Sequence, residues 1–502
     1  MEQSQPKKTY LRLFSPDFLQ LLILYSVSFA LLAVILFATS SFAGNDDYYH
    51  MGMGLQIAEQ KRLAIDFPWL PLTILSPDKF VDHHLLYHLY LAPFVHFGGI
   101  TGAKLAQIAI AAGVVVAIWW VLRQIGVRWA TLWSLGFFAL SAPFLHRMLM
   151  IRTQGAALLL IVVAIGLLLE KRYLFLLPLG FAYAWLFDGF ILLPAVSVIY
   201  LISVWLAENR LEWRPVAYAL AGVALGLVIN PYFPRNLEFI IEHLGAKVGF
   251  ESGIPVGNEW YPYSTGDLLR NSPGALIALF VGFLRPSFGE HKRDTAENTL
   301  MFVALLTLFM LFQSRRFIEY YPAFALLFCA AAWGRGTIDV LARIPRRAVA
   351  LAISAVLTIV VIAASMTIAY TRSILVEADD PLQFAGASNW LRRNTAEGSM
   401  VFQTDWDDFT RLFYYNPSNI YIVGLDPTYL ELADPEMWDE WVAITRGEVE
   451  VPSAKIRDDF DAGYVVSDRR HAAFKDQADA DPQMKLVYWD SGSYVWQIIS
   501  QD

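Results

Sequence analysis

The stretch "GNDDYYHMGMGLQIAEQKR", residues 44–62, sets Asp46 and Asp47 beside two tyrosines and His50. A second stretch, "DHHLLYHLYLAPFVHF" at 82–97, holds Asp82, His83, His84 and His88 and predicts a helix that Pro93 would bend or end. A carboxylate beside an imidazole suits general-base chemistry, and the same groups suit a hard cation held by Asp47 or Asp82. His84 and His88 are spaced i, i+4 and share a helix face, but the Glu of an HExxH zinc site is missing. The plainer reading makes Asp47 and Asp82 helix N-terminal acids, with Tyr and His at a membrane interface. Capping does not require the histidines, and two Asp-aromatic-His clusters in one segment favour chemistry.

Cations recur further on. "SAPFLHRMLMIRTQG" carries His146, Arg147 and Arg152, and "QSRRFIEYYP" carries Arg315, Arg316 and Glu319. Arginines near span ends commonly snorkel to the interface. The alternative is an anionic headgroup, because guanidinium forks match phosphate oxygens and two clusters could clamp a diphosphate. The Gly- and Pro-rich stretch 231–270 offers Glu251, Glu259 and Asp267 as further ligands. Asp188 reads as an interfacial turn residue. Near the C-terminus, "TDWDDF" puts Trp406 and Asp407 just after a strand, where open α/β sheets tend to bind ligands.

The elements that must position these groups belong to a membrane protein. The 502 residues are 56% hydrophobic and 17% charged, below the roughly 25% charged of soluble domains. Apolar segments at 18–43, 103–121, 129–144, 155–169, 173–187, 189–206, 215–230, 272–285, 298–312, 317–333 and 348–370 predict about eleven spans. "SFA" before Gly44 resembles a cleavage site, but the apolar stretch exceeds a signal-peptide core, so the first span is expected to stay uncleaved. With the N-terminus cytoplasmic, inner segments hold sixteen Lys and Arg, Lys7, Lys8, Arg12 and Arg343 among them, against ten outside. The first loop, 44–96, the 231–270 loop and the C-terminus then share the outer face. The lone cysteine, Cys329, sits in an apolar run and forms no intrachain disulfide.

Residues 375–502 hold 24 acids and 10 bases and alternate helix and strand patterns, which predicts a soluble, acidic, extracytoplasmic α/β domain. Residues 1–374 form the transmembrane part. An acidic tail argues against nucleic-acid binding.

In this layout "DDYYHM" resembles the first-loop acidic motif of the GT-C superfamily of membrane glycosyltransferases: oligosaccharyltransferase catalytic subunits, protein O-mannosyltransferases and aminoarabinose transferases. "SNWLRRNTAEGSMVFQTDWDDF" is similar to the oligosaccharyltransferase segment leading into Trp-Trp-Asp-Tyr-Gly, and "RRFIEYYPAF" to a late Arg-Tyr span entry. The resemblance implies a GT-C-like helical membrane fold with a C-terminal soluble α/β domain. It implies transfer of a sugar from a polyprenyl-phosphate or diphosphate donor to a lipid, glycan or protein acceptor, with inversion, at the outer face of the plasma (inner) membrane. Asp46 aligns with the catalytic aspartate and Asp47 with the neighbouring position, and Asp46, or else Asp47, is the expected catalytic base. His50, Asp82, His83, His84, Arg147, Arg152, Arg315, Arg316, Glu319, Trp406 and Asp407 are the expected substrate-binding residues. Asp408 and Phe409 replace the motif's Tyr-Gly, which departs from sequon recognition. "SAPFLHRMLMIRTQG" lacks the carboxylates of the metal motif, so no cofactor is assigned and a divalent metal stays open. A lipid or sugar transporter or flippase, and a non-catalytic membrane subunit, are the alternatives.

Overall fold

The first apolar run becomes helix Pro16–Leu36, with Pro16 at its start and Asp17 in its first turn, both favoured positions. Asp17 pairs with Arg123, at the end of helix Leu85–Gln124, at 2.5 Å. This computed structural model describes residues 16–247, 257–285, 291–335, 345–378 and 380–499. The expectations on Lys7, Lys8, Arg12, Glu251 and Arg343 lie outside the described residues.

Beyond Leu36 the chain turns, and a buried lysine holds the turn. Lys104 Nζ donates to the carbonyls of Thr39 (2.9 Å) and Leu36 (3.4 Å), meeting oxygens that a helix C-terminus leaves unpaired. The turn feeds the rim helix, Asp46–Gln60. Its glycines allow close packing on two sides. At Gly54 an added Cβ would lie 3.5 Å from the Ala92 backbone, and at Gly52 it would lie 2.5 Å from the Phe413 ring.

Helix Leu85–Gln124 carries the histidines and then enters the membrane part. Pro93 sits inside it without ending it. The break falls at Gly99, whose φ of 51° and ψ of −137° suit glycine. This corrects the expectation of a bend or stop at Pro93. Just beyond the break, Gly102 passes so close to the Phe94 carbonyl that a side chain has no room.

Five helices are long and apolar enough to cross a membrane, or seven if two sharply bent pairs each count as one. The remaining expected segments fall on shorter apolar helices: Ala130–Ala139, Tyr173–Leu186, Arg214–Val228 and Tyr321–Trp333. The eleven expected spans are therefore supported by length only in part. One bent pair, Ala142–Leu149 and Thr153–Leu169, turns through 106° and puts Met150–Arg152 in the elbow.

The C-terminal strands are β1 (Met400–Gln403), β2 (Ile420–Tyr421), β3 (Tyr464–Asp468), β4 (Met484–Trp489) and β5 (Ser493–Ile498). They form one sheet in the order β2-β1-β3-β5-β4, with β1 parallel to β2 and β3, and β5 antiparallel to β3 and β4. Helices cover it, and Trp438, Trp441 and Trp496 fill its core.

A second apolar core joins this sheet to the rim helix. Tyr49, Met53, Phe67 and Trp69 pack with Phe409, Phe413 and Tyr421, and the Trp69 and Phe413 ring centroids lie 4.7 Å apart. Backbone hydrogen bonds cross the same seam. Tyr421 N–H donates to Trp69 (2.9 Å), and Ile74 N–H donates to Tyr429 (3.1 Å).

Candidate functional site

Adjacent aspartates at the start of the rim helix part company. Asp47 is fully buried. Its Oδ1 accepts the Ile151 N–H at 2.9 Å and its Oδ2 the Gly44 N–H at 3.2 Å. It thus staples the rim helix to the elbow, and burial pushes its carboxyl up to about 8. Asp47 does not reach open space, which corrects its assignment as an alternative base. Asp46 keeps 33% of its side chain exposed and lines a cavity of about 670 Å³.

The elbow supplies the counter-charges. Arg152 Nη2 lies 3.2 Å from Asp46, and its Nη1 lies 3.2 Å from Glu259. Arg147 pairs with Glu259 at 2.9 Å and Glu319 at 2.7 Å. Arg316 approaches Glu259 at 3.8 Å and lies 4.9 Å over the Trp260 ring. Burial pushes the Glu259 carboxyl up, but Arg152, Arg316 and Arg147 together outweigh it and hold it well below the usual range. Ser314 locks this arrangement, since its hydroxyl donates to the Glu259 carbonyl at 2.7 Å. Arg315 points elsewhere. Its Nε donates to the Pro262 carbonyl at 3.2 Å and its guanidinium lies 5.2 Å from the Tyr263 ring. It braces the loop and does not line the cavity, a correction to its expected binding role.

His50, His83 and His84 line the cavity, whereas Asp82 does not. Asp82 is buried and takes hydrogen bonds from the His84 backbone (3.0 Å) and the His88 ring (2.8 Å). Its expected contact with substrate is therefore replaced by a contact with His88. Trp406 and Asp407 reach the cavity from the C-terminal sheet, on the 3-10 turn after β1. Asn45 Nδ2 donates to the Asp407 carbonyl at 2.5 Å, and Arg411 Nε donates to Asn45 at 2.9 Å. Burial, helped by Asp46 nearby, pushes the Asp407 carboxyl up to about 6.

The opposite wall holds residues that the sequence did not single out as a group. Tyr429 and His243 hydrogen-bond at 3.1 Å, and His243 Nε2 lies 3.9 Å from Asp188. Asp188 lines the cavity as well as starting a turn. Asp426 joins it there. Only the loop length around His243 hinted at this wall.

Among the described residues, no group of three or more His, Cys, Asp or Glu is arranged to hold a metal ion. The carboxylates at the cavity centre, Asp46, Glu259 and Glu319, are engaged by guanidiniums.

No protein-family model matches the sequence and no curated protein matches it. Solved structures do. The Archaeoglobus fulgidus oligosaccharyltransferase is similar with a TM-score of 0.66 and 14% identity, over 96% of this chain and 75% of that one. The same archaeal enzyme, AglB, has been solved with an inhibitory peptide and a dolichol-phosphate. ArnT from Cupriavidus metallidurans, bound to undecaprenyl phosphate, is similar with a TM-score of 0.59 and 14% identity, over 96% of this chain and 98% of that one. The mycobacterial arabinofuranosyltransferase AftD gives 0.59 and 15%, over 98% of this chain but 42% of its own length. The chain shares the fold of these solved structures.

Proposed function

We propose that a chain with this fold and this cavity is a membrane glycosyltransferase. It moves a sugar from a polyprenyl-phosphate-linked donor to an acceptor hydroxyl or amide of a lipid, glycan or protein, with inversion at the anomeric carbon. The observation that carries the reading is the joint placement of Asp46, Arg147, Arg152 and Arg316 around one cavity of about 670 Å³.

The chemistry follows from what each group can do. Asp46 takes the acceptor's proton as the acceptor attacks, and a placed base contributes roughly 10²–10⁴-fold. The arginines stabilise the charge that develops on the departing phosphate, where loss of one donor typically costs about 10²–10³-fold. Before the donor arrives, Glu259 supplies the negative charge that the guanidiniums share. Structures of AglB with dolichol-phosphate and ArnT with undecaprenyl phosphate support a lipid-linked donor of this class. The Lys and Arg bias supports a cytoplasmic N-terminus, a cavity on the outer face of the plasma membrane and an extracytoplasmic C-terminal domain from residue 375 onward.

A purely structural subunit would use the rim aspartates as caps. Asp47 does serve structure, but Asp46 pairs with Arg152 and the helix has no side-chain cap bond. Asp46→Asn is expected to abolish transfer while leaving the melting temperature within a few degrees of the parent. Full transfer in that variant removes Asp46 as the base. Mass spectrometry of lipids copurifying with the parent tests the donor class, and the expected finding is a polyprenyl-phosphate sugar.

A further inference from the structure

His50 follows Asp46 by one helical turn, so the two side chains share a face, and both line the cavity. Behind His50 the polar contacts run inward, away from solvent. His50 Nδ1 lies 2.7 Å from His88 Nε2. His88 Nδ1 lies 2.8 Å from Asp82 Oδ2 and 2.9 Å from Oδ1. The three residues are 3%, 0% and 2% exposed for His50, His88 and Asp82, so the chain reaches water only at its His50 end.

With Asp82 taken as a carboxylate and His88 as a neutral ring, the order of partners sets the protons. An ionised carboxylate only accepts, so His88 Nδ1 carries the hydrogen and its Nε2 the lone pair. His50 Nδ1 then donates to that lone pair, and His50 Nε2 is left as an unprotonated base. It has no hydrogen-bond partner among the described residues. Other charged or titratable groups around it are His83, His84, Tyr49, Tyr87 and Arg152. Burial, with His88, Arg152 and His83 adding to it, holds the His50 imidazole well below its usual range and therefore neutral at rest.

We propose that Asp82, His88 and His50 form a proton relay that discharges Asp46 during transfer, an inference that rests on the reading of the cavity given above. As the acceptor atom bonds to the anomeric carbon and the bond to phosphate breaks, its proton passes to an Asp46 oxygen. Asp46 and His50 make no direct hydrogen bond, so that proton crosses the cavity both line through a water molecule to His50 Nε2, while the Nδ1 proton of His50 moves to His88 Nε2. The product is an imidazolium at His88 against the Asp82 carboxylate. The three-residue unit changes from a net charge of −1 to zero, so no uncompensated charge is created in the interior. Asp46 is ionised again and re-forms its pair with Arg152. The stored proton leaves by the reverse path when the cavity opens to water.

Two measurements on the full-length protein test the relay. Selective ¹⁵N-histidine NMR, assigned with His50→Gln and His88→Gln, reads the tautomers without any substrate. At pH 7.5 both rings are expected to carry hydrogen on Nδ1 only. A protonated Nε2 on His50 overturns the relay. The second measurement is sugar release from synthetic undecaprenyl-phosphate-linked sugars. His50→Gln and His88→Gln are each expected to lower kcat on the order of 10- to 100-fold, within the span of proton-transfer effects. KM should stay within about twofold, the double variant should be no slower than either single one, and the solvent isotope effect should fall. Unchanged kcat, or losses that multiply, overturns the relay. If Asp46→Asn stays active, Asp46 is not the base and the relay has no proton to receive; if the parent protein transfers no sugar, it is the transferase reading that fails, whatever the tautomers show.

Discussion

Asp46 and Asp47 are neighbours of one chemical type, yet one is a staple and the other faces the cavity. Their types and their place at the start of a helix were legible in the sequence. Which one turned inward was not, because the partner donors at Ile151 and Gly44 come from the elbow and the preceding turn. The two make opposite predictions. The unfolded Asp47 loses its proton near the usual carboxylate value, whereas the folded one keeps it to about 8. Its contribution to stability therefore falls as pH rises from about 4 to about 8 and is level above that. Asp47→Asn should flatten this slope, checked by comparing melting temperatures at pH 5 and pH 8.5. Arg315 and Arg316 separate in the same way. Arg316→Ala should weaken binding of undecaprenyl phosphate by about tenfold or more, the scale of a lost charge-assisted contact. Arg315→Ala should leave it within about twofold, since that side chain bonds the Pro262 carbonyl. Isothermal titration of both variants decides this.

At the level of elements, the alternating helix and strand patterns beyond residue 375 become one helix-covered sheet, since local pattern sets both. The break in helix Leu85–Gln124 was misplaced because proline is the louder signal, while Gly99 is needed for its backbone angles. The cavity wall of Asp188, His243 and Tyr429 was hinted at only by the loop length around His243, because its members come from three distant segments. Seams between elements rest on close approach. At Gly52 a side chain would meet the Phe413 ring, and overpacking of this kind costs about 1–3 kcal/mol. Gly52→Val should make residues from 380 onward more sensitive to protease and should lower transfer, with helical content by circular dichroism nearly unchanged.

Across the whole molecule, the asymmetry of charge sets a testable sidedness. Cys329 is buried, so native labelling by a maleimide should be low and introduced cysteines should report cleanly. Trp489→Cys, in the exposed edge strand β4, should react with a membrane-impermeant maleimide in intact cells. Trp213→Cys, equally exposed between two helices on the expected inner side, should react only after permeabilisation. Reversed reactivity overturns the orientation. The seam between the rim helix and the C-terminal sheet carries a consequence for biosynthesis. Asn45 and Asp407, which meet across it, stand 362 positions apart. A ribosome making this chain therefore delivers one wall of the reaction vessel near the beginning and the facing wall near the end. On the proposed function, a nascent or truncated copy lacks the enclosure and is expected to stay idle, so that lipid-linked sugar is not squandered by half-made molecules.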